Sequence, residues 1–125
     1  TDECLTTVSK FRKLQSLDLY SLPVTGTALA QISQLADLRS LDLSATKIDD
    51  SAIRHLAGLK KLTGLRLNQT DISDAGLDPL KGLINLQTLY LTETSVTEAG
   101  ITGLGKALPN CRIEWDGGVI EPQSK

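Results

Sequence analysis

The chain has 125 residues, long enough for one domain, and a formal net charge of −2 at pH 7. Acidic and basic residues are mixed along the sequence, so we expect no basic stripe and no nucleic-acid partner. No apolar run approaches the roughly 18 residues that a membrane span requires, so no membrane span is predicted.

The first segment, residues 1–13, has the pattern of a short helix. Leu5, Val8 and Phe11 recur at three-residue spacing, as do apolar residues in the later helical segments. No strand precedes this helix, so we interpret the segment as half of a repeat. We therefore expect either upstream repeats or self-association to cover the strand edge at residues 14–19.

Four copies of the pattern Leu-x-x-Leu-x-Leu follow, beginning at residues 14, 38, 62 and 86, which are 24 residues apart. In an extended segment alternate side chains point to opposite faces, so the second and third leucines of each copy share one face. A strand this short buries its leucines only when identical strands stack beside it. The pattern predicts four stacked repeats, at residues 14–37, 38–61, 62–85 and 86–109.

Each repeat is predicted to continue into a short helix. In the second repeat Ile53, Leu56 and Leu59 lie along one side of the helix. In the third repeat Pro79 removes a backbone donor from the helical half. We expect a short or 3₁₀-like helix there.

The last segment, residues 110–125, is predicted to be a C-terminal cap and tail that completes a single domain of residues 1–125. Continuing the 24-residue step places Ile113 and Trp115 on the inward positions of a fifth strand. The same step places Ile120 on the turn position that Val96 holds in the repeat before. We expect the ring of Trp115 to cover the end of the core.

Residues 62–77 read Leu-x-x-Leu-x-Leu-x-x-Thr-x-Ile-x-Asp-x-Gly-Leu. This pattern resembles the leucine-rich repeat family, in particular its 24-residue bacterial type, found in planctomycete-like proteins. The resemblance covers nearly the whole chain. It implies an α/β fold: a right-handed, curved solenoid with a parallel sheet on the concave side and short helices on the convex side. It also implies that a ligand, usually a protein, binds the concave face.

The resemblance further assigns a structural task to three threonines. Thr46, Thr70 and Thr94 stand where most family members have Asn or Cys, whose side chain satisfies backbone groups in the turn after the strand. The three hydroxyls should therefore form a ladder along the turns. Leu22 occupies this position in the first repeat and departs from the pattern.

The candidate partner-binding residues are the polar and aromatic side chains expected on the concave face. Tyrosine and arginine are enriched where proteins contact one another. The seven candidates are Asp18, Tyr20, Asp42, Arg66, Asn68, Tyr90 and Thr92. The alternative interpretation is that each is an ordinary solvated strand residue.

We find no candidate catalytic residue, metal site or cofactor in the sequence. Asp18 and Asp42 should lie one strand apart, about 5 Å, but no further acid or histidine completes a ligand set. His55, the only histidine, lacks partners for catalysis. Cys4 and Cys111 belong to units four strands apart, near 20 Å, too far for a disulfide.

The sequence therefore favours a non-enzymatic module that binds a protein or peptide on its concave face. The alternative is a structural or terminal segment of a larger repeat or multidomain protein, without a ligand of its own. An enzyme is the weakest interpretation, because repeat folds usually acquire catalysis from an attached domain.

Overall fold

The computed structural model describes residues 13–122 of the chain. Within this range the chain alternates short strands with short helices. The strands are β1 (Ser16–Asp18), β2 (Ser40–Asp42), β3 (Gly64–Arg66), β4 (Thr88–Leu91), β5 (Arg112–Trp115) and β6 (Gly118–Ile120). The α-helices are α1 (Gly26–Ile32), α2 (Asp50–Ile53), α3 (Asp74–Leu77) and α4 (Glu98–Ala107), and 3₁₀ helices span Arg54–Leu56 and Asp78–Gly82.

The strands form one sheet in chain order, with β1 to β5 parallel. From β1 to β5 each strand pairs with the next without slippage, so residues 24 apart in the sequence are direct neighbours, as Leu17 and Leu41 show. We call such a set of neighbours a column. The register follows from burial, because a shift of one residue would turn every leucine toward solvent.

The core is a continuous stack of aliphatic side chains between the sheet and the helices. Leu41, Leu65 and Leu89 form its central column and are at most 1% exposed. The helices contribute apolar residues such as Ile53 and Leu77 to the same core. Each repeat therefore buries its apolar side against its neighbours, as the leucine spacing predicts.

The helices differ in length for local reasons. The prediction for Pro79 is confirmed: α3 ends at Leu77, and a 3₁₀ helix that includes Pro79 follows. The ten-residue helix α4 has no internal proline, and its N-cap Thr97 accepts a hydrogen bond from the Gly100 N–H. A side-chain cap of this kind satisfies one of the free donors at a helix start.

The chain leaves each of the first four strands through the same turn. Ser21, Ala45, Gln69 and Glu93 have φ angles of 64°, 59°, 58° and 55°. After this left-handed residue, Thr46 and Thr70 donate a hydroxyl hydrogen bond to the carbonyl of the third leucine of their repeat, each at 2.7 Å, and Thr94 does so at 2.8 Å. In the first turn Leu22 has no hydroxyl, but its backbone N–H donates to the Leu19 carbonyl. The turn conformation is therefore kept without the threonine.

The C-terminal end departs from the repeat. The prediction for Ile120 is wrong: the residue lies in β6, which pairs antiparallel with β5 and places Ile120 opposite Ile113. Gly118 has a φ of 137°, which side chains disfavour, so the glycine pair lets the chain reverse as a hairpin. Trp115 is half-buried against the core, and its ring lies against Gly117.

Side-chain carboxylates join the start of each central helix to the next repeat. The Asp50 carboxylate accepts the Ser73 N–H at 2.7 Å and also the Ser73 hydroxyl. The Asp74 carboxylate accepts the Thr97 N–H at 2.8 Å and the Thr97 hydroxyl at 2.5 Å. Both carboxylates accept hydrogen bonds from the N-cap residue of the next helix.

Several predictions concern residues outside the described range. Nearly all of the half repeat at residues 1–13 lies outside that range, and so does Cys4. The structure therefore does not test whether another segment covers the edge of β1, or how far Cys4 lies from Cys111. Over residues 13–122, no helix has both the length and the apolar character needed to cross a membrane.

Candidate functional site

One column of the sheet face carries most of the predicted charged and aromatic residues. The register places Asp18 beside Asp42, Asp42 beside Arg66, and Arg66 beside Tyr90. The Arg66 guanidinium lies over the Tyr90 ring, 5.0 Å from its centroid. This cation–π contact orients two side chains that commonly contribute to protein interfaces.

A second column, at the ends of the strands, is linked by side-chain hydrogen bonds. It contains Tyr20, Ser44, Asn68 and Thr92. The Asn68 N–H donates to the Ser44 hydroxyl at 3.1 Å, and the Asn68 side-chain oxygen accepts from the Thr92 N–H at 2.8 Å and from the Thr92 hydroxyl at 2.9 Å. The column is therefore pre-ordered across three successive repeats.

The two columns border a shallow groove of about 260 Å³. It is lined by Tyr20, Asp42, Ser44, Arg66, Asn68, Gln69, Thr92 and Glu93. Five of the seven predicted site residues line this groove. The other two, Asp18 and Tyr90, lie beside it in the column of Asp42 and Arg66.

The sequence prediction of the site did not include Ser44, Gln69 and Glu93. Ser44 follows Tyr20 by 24 residues, so strict use of the repeat would have included it. Gln69 and Glu93 hold the left-handed turn position, and the Gln69 amide donates to the Glu93 carboxylate at 2.9 Å. Nothing in the spacing of the strand residues indicates that turn side chains reach the groove.

The two aspartates of the sheet face each have one oxygen engaged. Asp18 Oδ1 accepts the Tyr20 N–H at 3.0 Å, and Asp42 Oδ1 accepts the Ser44 N–H at 2.9 Å. Among the described residues neither carboxylate takes part in an ion pair. The same range contains no group of three or more potential metal ligands.

Charges that are mixed along the sequence separate onto the two edges of the sheet. We call the segments that follow the strands the carboxyl edge (residues 18–26, 42–50, 66–74, 90–98 and 114–116). They hold ten acids and two bases, Lys47 and Arg66. The acids are Asp18, Asp42, Asp49, Asp50, Asp71, Asp74, Glu93, Glu98, Glu114 and Asp116.

The segments that precede the strands form the amino edge (residues 13–15, 33–39, 57–63, 81–87 and 105–111), with one acid, Asp37. Its six bases are Lys13, Arg39, Lys60, Lys61, Lys81 and Lys106. Helices begin at the carboxyl edge and end at the amino edge, and helix dipoles favour acids at the start and bases at the end. The even mixing expected from the sequence therefore does not hold in space.

Two acids with lowered pKa values have structural partners. The Lys61 ammonium donates to Asp37 at 2.8 Å and lowers the pKa of that carboxyl. The Ser51 hydroxyl donates to Asp49, the N-cap of α2, and lowers its pKa. Cys111 is 1% exposed, and burial raises the pKa of its thiol to about 11, so the thiol is protonated at neutral pH.

Neither a model of a known protein family nor a curated protein sequence matches the chain. Solved structures do match. Internalin C2 from Listeria monocytogenes is 26% identical with a TM-score of 0.73, and the match covers 86% of this chain and 44% of that one. A leucine-rich repeat protein from Leptospira interrogans is 26% identical with a TM-score of 0.63, over 85% of this chain and 26% of that one.

Internalin F from L. monocytogenes shares the fold at 22% identity, with a TM-score of 0.57, over 89% of this chain and 37% of that one. The chain thus spans less than half the length of these three proteins. Together with the parallel sheet and short helices, the neighbours confirm the predicted α/β leucine-rich-repeat solenoid. They support a leucine-rich repeat family and, in general terms, a protein-interaction module.

Proposed function

We propose that the chain is a non-enzymatic module that binds a protein or peptide partner on its sheet face. The observation that carries the proposal is the groove, which side chains from four successive repeats build together. Such a surface exists only when the repeats are stacked, and it is distinct from the apolar side that holds the stack. Because leucine-rich-repeat neighbours are typically interaction proteins, the fold also supports this proposal.

The seven residues named from the sequence are the proposed contact residues, with Arg66 and Tyr90 as anchors. Arg66 is exposed, Tyr90 is half-buried, and each restricts the motion of the other. Partly ordered side chains of this kind lose less entropy when a partner binds. We also infer that the repeats are of the 24-residue bacterial type, which the unbroken 24-residue register supports.

A peptide library displayed on phage and selected against the whole chain tests the binding surface. Affinities of the selected peptides are then measured for Arg66→Ala/Tyr90→Ala and for a control pair on the helical side, Arg54→Ala/His55→Ala. The sheet-face pair should weaken binding by roughly 2 kcal/mol, about thirtyfold. It should lower the free energy of unfolding by only about 1 to 2 kcal/mol, because it removes a cation–π contact and the half-buried part of the Tyr90 ring.

The control pair should change neither affinity nor stability appreciably. If the control pair abolishes binding and the sheet-face pair does not, the partner binds the helical side and the proposal is wrong.

A further inference from the structure

We propose that the groove accepts an extended peptide segment that carries lysine or arginine. This inference rests on the proposed function, since it names the chemistry of the partner. The groove lies at the ends of the strands, within the carboxyl edge, where acids outnumber bases ten to two. Asp42 and Glu93 line it, and Asp18 is the next residue in the column of Asp42.

The one base that lines the groove, Arg66, forms no ion pair with these acids. Arg66 stands beside Asp42 in the register, but among the described residues no ion pair joins them, and its guanidinium lies over Tyr90. An incoming cation therefore meets carboxylates without a bound counter-charge. Tyr20, which is 56% exposed, lines the groove and offers its ring to the same cation.

A second feature of the groove is a buried hydroxyl group that can donate a hydrogen bond to a ligand. Ser44 lines the groove and is only 3% exposed. Its hydroxyl oxygen accepts the Asn68 N–H, but within residues 13–122 no group accepts the hydroxyl hydrogen. Buried polar hydrogens normally have a partner. A peptide carbonyl would supply this acceptor, and lysine or arginine side chains on the same peptide would supply the positive charge.

The size of the groove also suits a peptide. It crosses the ends of β1 to β4, which are three strand spacings, about 14 Å. An extended chain covers this distance in about four to five residues. A single amino acid or small cation would contact one end and leave the other open.

The first test uses three fluorescent peptides of about eight residues, which alternate glycine with lysine, with glutamate or with serine. The whole chain should bind the lysine peptide, and raising the salt from about 50 to 500 mM should weaken this binding. The glutamate and serine peptides should bind at least about tenfold more weakly. Equal binding of the lysine and serine peptides would overturn the inference.

The second test compares two variants with the same change in net charge. Asp18→Asn/Asp42→Asn removes one charge that lines the groove and one beside it, and asparagine keeps the side-chain oxygen that accepts the Tyr20 and Ser44 N–H groups. Asp37→Asn/Asp78→Asn removes two charges from exposed acids away from the sheet face, each paired with a lysine. The first variant should weaken lysine-peptide binding about tenfold and the second less than about twofold.

An equal loss in both variants would show that the chain attracts cations through its net charge alone, which contradicts the inference. Thermal melts verify that both variants fold. These tests distinguish a failure of the charge inference from a failure of the proposed function. If library-selected peptides are neutral or acidic and still depend on Arg66 and Tyr90, the sheet face binds peptides and only the charge inference fails.

Discussion

Backbone hydrogen bonds join neighbouring repeats at both edges of the sheet, and the two edges differ in the side-chain bonds that add to them. At the carboxyl edge, side chains connect the repeats, as Asp74 does with the start of α4 and Asn68 with Thr92. At the amino edge, the Arg39 N–H donates to the Gln15 carbonyl at 2.7 Å and the Thr63 N–H to the Arg39 carbonyl at 2.8 Å. The side-chain bonds between repeats at this edge, such as that of Lys61 with Asp37, lie at exposed positions. Residue identity should therefore matter more at the carboxyl edge than at the amino edge.

The largest loss of stability is expected for a substitution in the core column between the two edges. This loss is the reference for substitutions at either edge. Leu65 is fully buried and has a leucine neighbour on either side in the sheet. Leu65→Ala should lower the free energy of unfolding by about 2 to 5 kcal/mol, because a cavity replaces most of the leucine side chain. Chemical denaturation measures this decrease. If substitutions at the edges cost more than Leu65→Ala, hydrogen bonds rather than apolar packing dominate the stability.

Two glycines allow a comparison of the edges: Gly100, in α4 against Asp74 of the carboxyl edge, and Gly58 of the amino edge. A Cβ added at Gly100 would overlap the Asp74 carboxylate, which bonds to the start of α4, whereas a Cβ at Gly58, on the amino edge, would meet nothing within 4 Å. Gly100→Ala should cost about 2 to 4 kcal/mol through steric overlap and displaced hydrogen bonds. Gly58→Ala should be neutral or stabilise by up to about 1 kcal/mol.

Thermal and denaturant unfolding of both glycine variants measure this difference. Equal effects at the two glycines would contradict the assigned role of Asp74.

A smaller difference in stability is expected between substitutions of two threonines, one at each edge. The Thr70 hydroxyl is buried and donates to the Leu67 carbonyl at 2.7 Å. The more exposed Thr63 hydroxyl donates to the Arg39 carbonyl at the amino edge at 3.1 Å. Thr70→Val should cost about 1 to 3 kcal/mol, because a buried carbonyl loses its donor, and Thr63→Val less than about 1 kcal/mol, because water replaces the hydroxyl. Denaturant unfolding of the two variants measures both costs. A larger cost for Thr63→Val than for Thr70→Val would contradict the greater importance given to the Thr70 hydroxyl.

The sequence predicts the stack well because each repeat supplies the same apolar pattern. The spacing of leucines is enough to place Leu41 beside Leu65, and Pro79 is enough to predict a 3₁₀ helix. The prediction from the sequence fails where the chain departs from the repeat. The 24-residue step places Ile120 in a turn, but Gly118 lets the chain fold back into a hairpin. Periodicity describes the repeats and carries no information about their end.

The candidate site was only partly predictable. The column from Asp18 to Tyr90 follows directly from the register, because strand residues alternate between faces. The contribution of Glu93 depends on a left-handed turn, which the strand pattern does not describe. The separation of charge was also missed, because charges were considered along the chain rather than by their position within the repeat.

Binding of a partner to the sheet face is tested most directly by NMR mapping of backbone amide chemical shifts. A library-selected peptide is titrated into the isotopically labelled chain. Binding in the groove predicts that the largest shifts occur at Tyr20, Ser44, Asn68 and Thr92, with little change at Arg54 on the helical side. Shifts concentrated on the helices, with the strand-end column unchanged, would contradict binding at the sheet face.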